Sequence, residues 1–217
     1  MAAPSDHNQE LTRVASIYDE IAPTWDGRQG LVERVLMGKA MRASLASHLV
    51  GDILEIGTGT GATLPFLDTT PGAITSLTAT DLSHGMLMEA RRTARTLGQP
   101  IALVRMNAGA LAFADAAFDT VTTSLTLCTV PDPARALREM ARVLKPDGRI
   151  VLLEHVRARN PVLSLMQRML TPVQVRLLGC HLDRRTDRIV RELGFRIEHE
   201  ETRFFGVFHL IVARSPL

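Results

Sequence analysis

Lysine is almost missing from this chain of 217 residues: Lys39 and Lys145 are the only two, and arginine supplies the other 23 of the 25 basic residues. Aromatic side chains are also scarce, at 4%, with one Trp and one Tyr. The two cysteines, Cys128 and Cys180, are too few for a disulfide framework, and their spacing matches no metal-ligand pattern, so no metal is expected and a reducing compartment is. Acidic and basic residues nearly cancel, 23 against 25 for a net charge of +2, which argues against nucleic acid as the main partner. Long apolar runs are absent as well. The longest stretches without a charge, Ile56 to Leu67 and Thr120 to Pro131, are about 12 residues against the roughly 20 that span a bilayer, so no transmembrane segment is expected. Met1 to Glu10 carries neither a basic start nor an apolar core, so no signal peptide is expected and the expected location is the cytoplasm.

What remains, 46% hydrophobic and 22% charged residues, is the composition of a globular domain. A chain of this length buries about 70% of its unfolded surface and needs no staple. Between residues 52 and 155, apolar runs of strand length alternate with segments of helical period, the signature of a parallel sheet with helices on both faces. Strands are expected at Ile53–Ile56, Leu77–Thr80, Ile101–Met106, Phe118–Ser124 and Arg149–Glu154. Helices are expected from the glycine turn to about Leu67, from the N-cap Ser83 to Leu97 before Gly98, and over Asp132–Leu144 with Pro133 in the first turn. Residues 1–50 read as a helical cap, with two helical stretches separated by Ala22-Pro23 and Gly27 to Gly30. Residues 159–193 read as two acceptor-side helices, Pro161–Leu178 and Asp183–Leu193. Phe195–Glu200 and Phe204–Ala213 read as a closing antiparallel hairpin. The expected fold is one α/β domain, 1–217, with a Rossmann-like, seven-stranded, mostly parallel sheet.

The segment Glu55-Ile-Gly57-Thr58-Gly59-Thr-Gly61-Ala62 places glycines where a first strand turns toward a helix, letting a ligand approach the backbone. Read literally, Gly57-x-Gly59-x-x-Ala62 also satisfies the dinucleotide fingerprint, so glycines alone do not separate one nucleoside cofactor from another. Asp81 ends the second strand, where a carboxylate accepts hydrogen bonds from both ribose hydroxyls. The plain alternative is a tight turn followed by an aspartate that caps the next helix. The other strand ends carry Asn107-Ala108, Ser124-Leu125-Thr126 and Glu154-His155, where ligands of open α/β sheets bind.

These motifs resemble those of the class I S-adenosylmethionine-dependent methyltransferases: Ile53 through Gly61, Ala79-Thr-Asp-Leu-Ser83 with Met86, Leu111-Ala-Phe113 leading to Phe118-Asp119, and Arg142-Val-Leu-Lys-Pro-Asp-Gly148. The resemblance implies S-adenosyl-L-methionine as cofactor. Glu55, Gly57, Thr58, Gly59 and Gly61 would form its cradle, with Asp81 on the ribose and Leu82 and Met86 on the adenine faces. Asn107 and Ala108 would reach the adenine edge, although many relatives place Asp at 107, and Ser124 and Leu125 would flank the sulfonium. Tyr18-Asp-Glu-Ile-Ala-Pro-Thr-Trp25-Asp26 is similar to the entry segment of the quinone C-methyltransferases and of bacterial phosphatidylethanolamine N-methyltransferases, which implies that Tyr18 closes over the cofactor. Ser124 to Val130, Leu153 to Val156 and Gly179 to Thr186 are similar to segments of the methyltransferase-like thiol S-methyltransferases.

Together these imply a methyltransferase acting on a small molecule, with a thiol sulfur of a bacterial secondary metabolite as the leading acceptor. N- or C-methylation of a lipid amine or quinone precursor is the alternative. A non-catalytic nucleotide-binding module or an NAD-dependent reductase is the reading of another class. Methyl transfer is an in-line displacement, so positioning is most of the work, and a thiol, with a pKa near 8.5, needs little help from a base. His155 is the candidate base or positioning group. Trp25, Thr126, His155, Cys180 and His181 are candidate pocket residues, with Cys128 expected in the core. The 161–178 helix reads either as packed core with methionines inward or as an amphipathic helix whose Arg159, Arg168 and Arg176 face an acidic group or a membrane surface.

Overall fold

The computed structural model describes residues 4–27, 36–67 and 72–216. An N-terminal helix α1 (Pro4–Ile21) runs into a 3₁₀ turn at Ala22–Thr24, and α2 (Lys39–Ser47) follows. Residues 28–35, which include part of the expected second helical stretch, lie outside the described residues. The sheet is built from β1 (Gly51–Ile56), β2 (Ile74–Asp81), β3 (Ala102–Arg105), β4 (Phe118–Ser124), β5 (Leu144–His155), β6 (Arg196–Arg203) and β7 (Phe208–Arg214), in the order β3-β2-β1-β4-β5-β7-β6. β1 to β5 are parallel, and β7 and β6 close the sheet antiparallel. The chain order reverses between β1 and β4, so a crevice opens beyond their carboxyl ends.

Alternation along each strand feeds two cores. Ile150 and Leu152 of β5 pack with Leu54, Ile56 and the inner face of α4 (Pro133–Val143), where Ala136, Leu137, Met140 and Val143 are buried. Val151 and Leu153 point the other way, toward Ile53, Leu77 and the buried Met41 and Leu45 of α2. The helix signals at the sequence level act as expected. Ser83 Oγ accepts the Met86 N–H at 3.0 Å to start α3 (His84–Leu97), and Gly98, at φ +66°, ends it. Asp132 caps α4 by accepting the Arg135 N–H at 2.9 Å.

Several elements differ from expectation. The segment after the glycine turn forms only a 3₁₀ turn, Leu64–Phe66, rather than a helix through Leu67, because Pro65 has no N–H to return to the preceding turn. β5 begins at Leu144, four residues before the hallmark glycine ends, with an irregular register in which Phe118 pairs Leu144 and Thr120 pairs Arg149. Gly148 is required there, since a Cβ would lie 2.9 Å from the Asp119 carbonyl. The helix expected over Asp183–Leu193 is shorter, α6 (Thr186–Glu192), because Arg184 is drawn back to donate to the Leu127 and Val130 carbonyls at 2.5 and 2.7 Å.

The largest difference is α5 (Pro161–Leu178), capped by Asn160. It is amphipathic in the inverse sense: Ser164 and Gln167 are buried, while Val162, Leu165, Met166, Met169, Leu170, Val173 and Leu177 are all more than half exposed. The packed-core reading of its methionines is therefore wrong. The inner face is polar because the strand-end loop needs partners. Gln167 accepts the Ala158 N–H at 2.7 Å and donates to the carbonyls of Val156 and Leu182, each at 3.0 Å, and Ser164 accepts from Arg157 Nε at 2.6 Å.

Candidate functional site

The turn after β1 is pinned by the Gly57 and Thr58 N–H groups, which donate to the Thr80 carbonyl at 2.7 and 3.0 Å. Gly57 has φ +68°, and a Cβ on it would lie 2.2 Å from the Thr126 side chain, so the turn requires glycine for packing. Gly59, at φ +57°, meets nothing within 4 Å: its open side faces the cavity and leaves room for a ligand on the backbone. Asp81 stands beside it, its Oδ2 accepting the Gly59 N–H and its Oδ1 the Ser83 N–H, both at 2.9 Å. Asp81 also lines the cavity, where a carboxylate can accept from ribose hydroxyls. Burial raises the Asp81 carboxyl above its ordinary value against the pull of the Ser83, Gly59 and Leu82 N–H groups.

The cavity beyond the strand ends is lined by Tyr18, Trp25, Gly57, Thr58, Gly59, Asp81, Leu82, Met86, Asn107, Ala108, Ser124, Leu125 and Thr126, bringing together most of the expected residues. Two expected cradle residues stand behind it. Glu55 is buried and accepts the Thr58 hydroxyl at 2.7 Å, and Gly61 packs toward Leu64 and Ala90. Tyr18 meets Trp25 edge to face, ring centroids 5.3 Å apart, and the end of α1 is tied down where Asp19 accepts the Ser83 hydroxyl at 2.6 Å and the Gly85 N–H at 2.8 Å. Asn107 Oδ1 accepts the Gly109 N–H at 2.9 Å, which orients the amide within its own loop.

Sequence reasoning missed Arg42. It comes from α2, is buried, lines the cavity, and donates to Ser124 Oγ at 2.9 Å. Its only signal was a charge on the apolar face between Met41 and Leu45, inconspicuous in a chain so rich in arginine. Leu125 was expected, but its strain was not: it holds φ +55°, a left-handed turn that Glu154 stabilises by accepting the Thr126 and Leu127 N–H groups, each at 3.1 Å.

His155, Cys180 and His181 do not line the cavity. Instead His155 Nε2 lies 3.3 Å from Cys180 Sγ, and Cys128 joins them, although the sequence suggested only a core role for it. Cys128 and Cys180 are buried, and His181 is half-buried, its N–H donating to the Cys128 carbonyl at 3.0 Å. The hydrogen bond from Cys128 holds the Cys180 thiol down, to about 5, with help from His155 and against burial. The same contact and burial push Cys128 well up. Burial would lower His155, but Cys180 and the nearby Glu154 raise it on balance.

A glycine cradle, an acid at the end of β2 and a crevice at the β1/β4 reversal define a nucleoside-binding enzyme of the class I methyltransferase architecture. A family model described as a methyltransferase domain matches residues 54–152. The chain is 33% identical over 161 residues, 72% of its length and 77% of the relative's, to a phosphatidylethanolamine N-methyltransferase of Cereibacter sphaeroides. It is 31% identical over 161 residues, 72% of its length and 65% of the relative's, to a ubiquinone/menaquinone biosynthesis C-methyltransferase of Hahella chejuensis. The fold is that of a solved S-adenosylmethionine-dependent methyltransferase from Thermotoga maritima, with a TM-score of 0.67, 21% identity, and coverage of 93% of this chain and 99% of that one. The chain belongs to the S-adenosylmethionine-dependent methyltransferases. Its cofactor is S-adenosyl-L-methionine, and the open side of Gly59 beside Asp81 fits that cofactor's ribose.

Proposed function

We propose that this methyltransferase S-methylates a small apolar thiol. The observation that carries the reading is the composition of the cavity wall: among the described residues its ionisable groups are Tyr18, Arg42 and Asp81 alone. Asp81 would be committed to the cofactor, the Arg42 side chain offers only N–H donors, and burial pushes the Tyr18 phenol well above its usual value, so none is suited to take an acceptor's proton near neutral pH. A thiol is the acceptor that least needs one: about a tenth of a thiol of pKa 8.5 is already thiolate at pH 7.5.

When bound, S-adenosylmethionine supplies an electrophilic methyl carbon on a sulfonium. Gly57 to Gly59 and Asp81 would hold it by backbone and ribose contacts, with Leu82 and Met86 along the adenine. Tyr18 and Trp25 would cover the cavity from the α1 side and exclude water. Ser124, held by Arg42, and Leu125 and Thr126, held by Glu154, would set the acceptor wall, so the chain's work is positioning. His155, off the wall and bonded to Cys180, would act through that wall rather than as a base.

The names of the relatives, one a lipid N-methyltransferase and one a quinone C-methyltransferase, favour a second reading in which a lipid amine or a quinone ring is the acceptor. Both readings are served by the outer face of α5. Its seven exposed apolar side chains, with Phe205 nearby in sequence to β7 and with exposed Arg159, Arg168 and Arg176, make an apolar surface edged with positive charge, suited to peripheral contact with an anionic membrane from the cytoplasmic side. Among the described residues no helix is long and apolar enough to cross a membrane. Incubation with methyl-labelled S-adenosylmethionine and a panel of alkyl thiols, quinols and amine lipids, with mass spectrometry locating the label, tests the proposal. Label on sulfur is expected; label confined to nitrogen or a ring carbon would replace it with the second reading.

A further inference from the structure

The dithiol and imidazole cluster stands behind the cavity wall just described, and it is assembled from three separate elements. Cys128 comes from the turn after β4, His155 from the last position of β5, and Cys180 from the residue after the αL glycine that ends α5. One ligand atom from each lies within 4.8 Å of the others. A tetrahedral zinc ion with sulfur at about 2.3 Å and nitrogen at about 2.0–2.1 Å separates its ligand atoms by about 3.5–3.8 Å. The His155 to Cys180 distance of 3.3 Å is already close to that spacing, so only small side-chain rotations separate the cluster from a coordinating set.

The backbone around the cluster is fixed from outside it. Arg184 donates to the Leu127 and Val130 carbonyls on either side of Cys128, Glu154 accepts the Leu127 N–H, and the His181 N–H donates to the Cys128 carbonyl. Gly179 permits the turn into Cys180, with φ +68° and a Cβ position only 2.8 Å from Val14. Two thiolates neutralise a divalent cation, so burying the filled site buries no net charge. Two soft sulfurs and one imidazole select zinc-class ions over magnesium or calcium.

We propose that Cys128, His155 and Cys180 form a three-ligand site for a thiophilic divalent cation of the zinc class. On binding, both cysteines coordinate as thiolates, any thiol proton still held passing to solvent, and the cation takes two sulfur lone pairs and one nitrogen lone pair, leaving a fourth position for water or another small ligand. The same turn that supplies Cys128 lines the cavity through Leu125, Thr126, Thr129 and Val130, so the cation would fix the wall on the acceptor side. The site stands whether the acceptor is a thiol, an amine or a ring carbon.

The test is a cobalt(II) titration of the full chain, purified under a phosphine reductant and stripped with a chelator, alongside zinc analysis of the protein as isolated. One equivalent of cobalt should produce the intense visible bands of a tetrahedral thiolate site, and one equivalent of zinc should bleach them. C128S and C180S, checked for folding by circular dichroism, should each lose about half of the thiolate charge-transfer intensity and at least about tenfold in affinity, and the double variant C128S/C180S should lose the band. His48, His199 and Glu201 form a second, more exposed group within the same reach, so H199A serves as the control and should leave the bands unchanged. Absence of thiolate bands in the wild-type protein overturns the proposal without reference to any variant. So do bands that persist in folded C128S/C180S or vanish in H199A.

Discussion

Replacing Asp81 by Ala or Asn probes cofactor binding and stability at one residue. Its two oxygens accept the Gly59 and Ser83 N–H groups, and the carboxylate lines the cavity where ribose hydroxyls would donate to it. Losing two charge-assisted hydrogen bonds to the ribose should weaken S-adenosylmethionine binding by about 1–3 kcal/mol, or about 5- to 150-fold in Kd. Asn is no gentler than Ala here. Whichever way its amide is turned, an NH₂ group faces a backbone N–H, so D81N should also lower stability by about 1–3 kcal/mol. In a chain of this size that is about 2–4 °C in Tm for each kcal/mol. Burial raises the carboxyl above its ordinary value in the free protein, and ribose contacts would favour its ionised form. Affinity should therefore be constant above that raised value and fall about tenfold per pH unit below it, a limb absent from D81N. Isothermal titration calorimetry across that range is the assay. Unchanged affinity in D81A, or the same acid limb in D81N, would refute the ribose assignment.

The two turn glycines should fail differently. G57A should be strongly destabilised by its contact with Thr126, whereas G59A, with open space around it, should lose only about 1–2 kcal/mol of stability to backbone strain yet lose cofactor binding; thermal melts with and without cofactor distinguish them. L165E/M169E on the outer face of α5 should leave Tm and cofactor affinity unchanged but abolish sedimentation with anionic vesicles, and wild-type protein that ignores vesicles would remove the membrane role. Asp119 accepts the Asp52 N–H and the Lys145 ammonium, each at 2.9 Å, which lowers its carboxyl below the ordinary value. Its stabilising effect is present above the ordinary carboxylate pKa and lost as pH falls through the lowered one, so D119N should melt earlier at pH 7 and match the wild type once the pH is below that lowered value.

The parts of the molecule that were legible in the sequence are those set by local chemistry. Ser83 and Gly98 bracket α3, Asp132 and Pro133 open α4, and the all-buried run Ile53–Ile56 marks a central strand, because capping and burial act over a few residues. Asp81 beside Gly59 was legible because successive parallel strands bring their carboxyl ends to one edge of the sheet. The choice of buried face on α5 was not. Its apolar stripe argues for the core, and only the unsatisfied groups at Val156, Ala158 and Leu182 explain why Ser164 and Gln167 turn inward. The cluster of Cys128, His155 and Cys180 was equally hidden, since sequence separations of 25 or more conceal a contact that exists only because β4 and β5 are neighbours and α5 returns its C-terminus to their ends. Arg42 depended in the same way on where α2 packs.

The central claim, that the cavity wall supplies position and the acceptor supplies its own ionisation, is tested most directly by the pH dependence of kcat/KM for two thiols whose pKa values differ by about two units. The alkaline rise should shift between them by about the same two units, because it reports the acceptor's own thiolate. A rise at the same pH for both acceptors would belong to a group on the enzyme and would contradict the account.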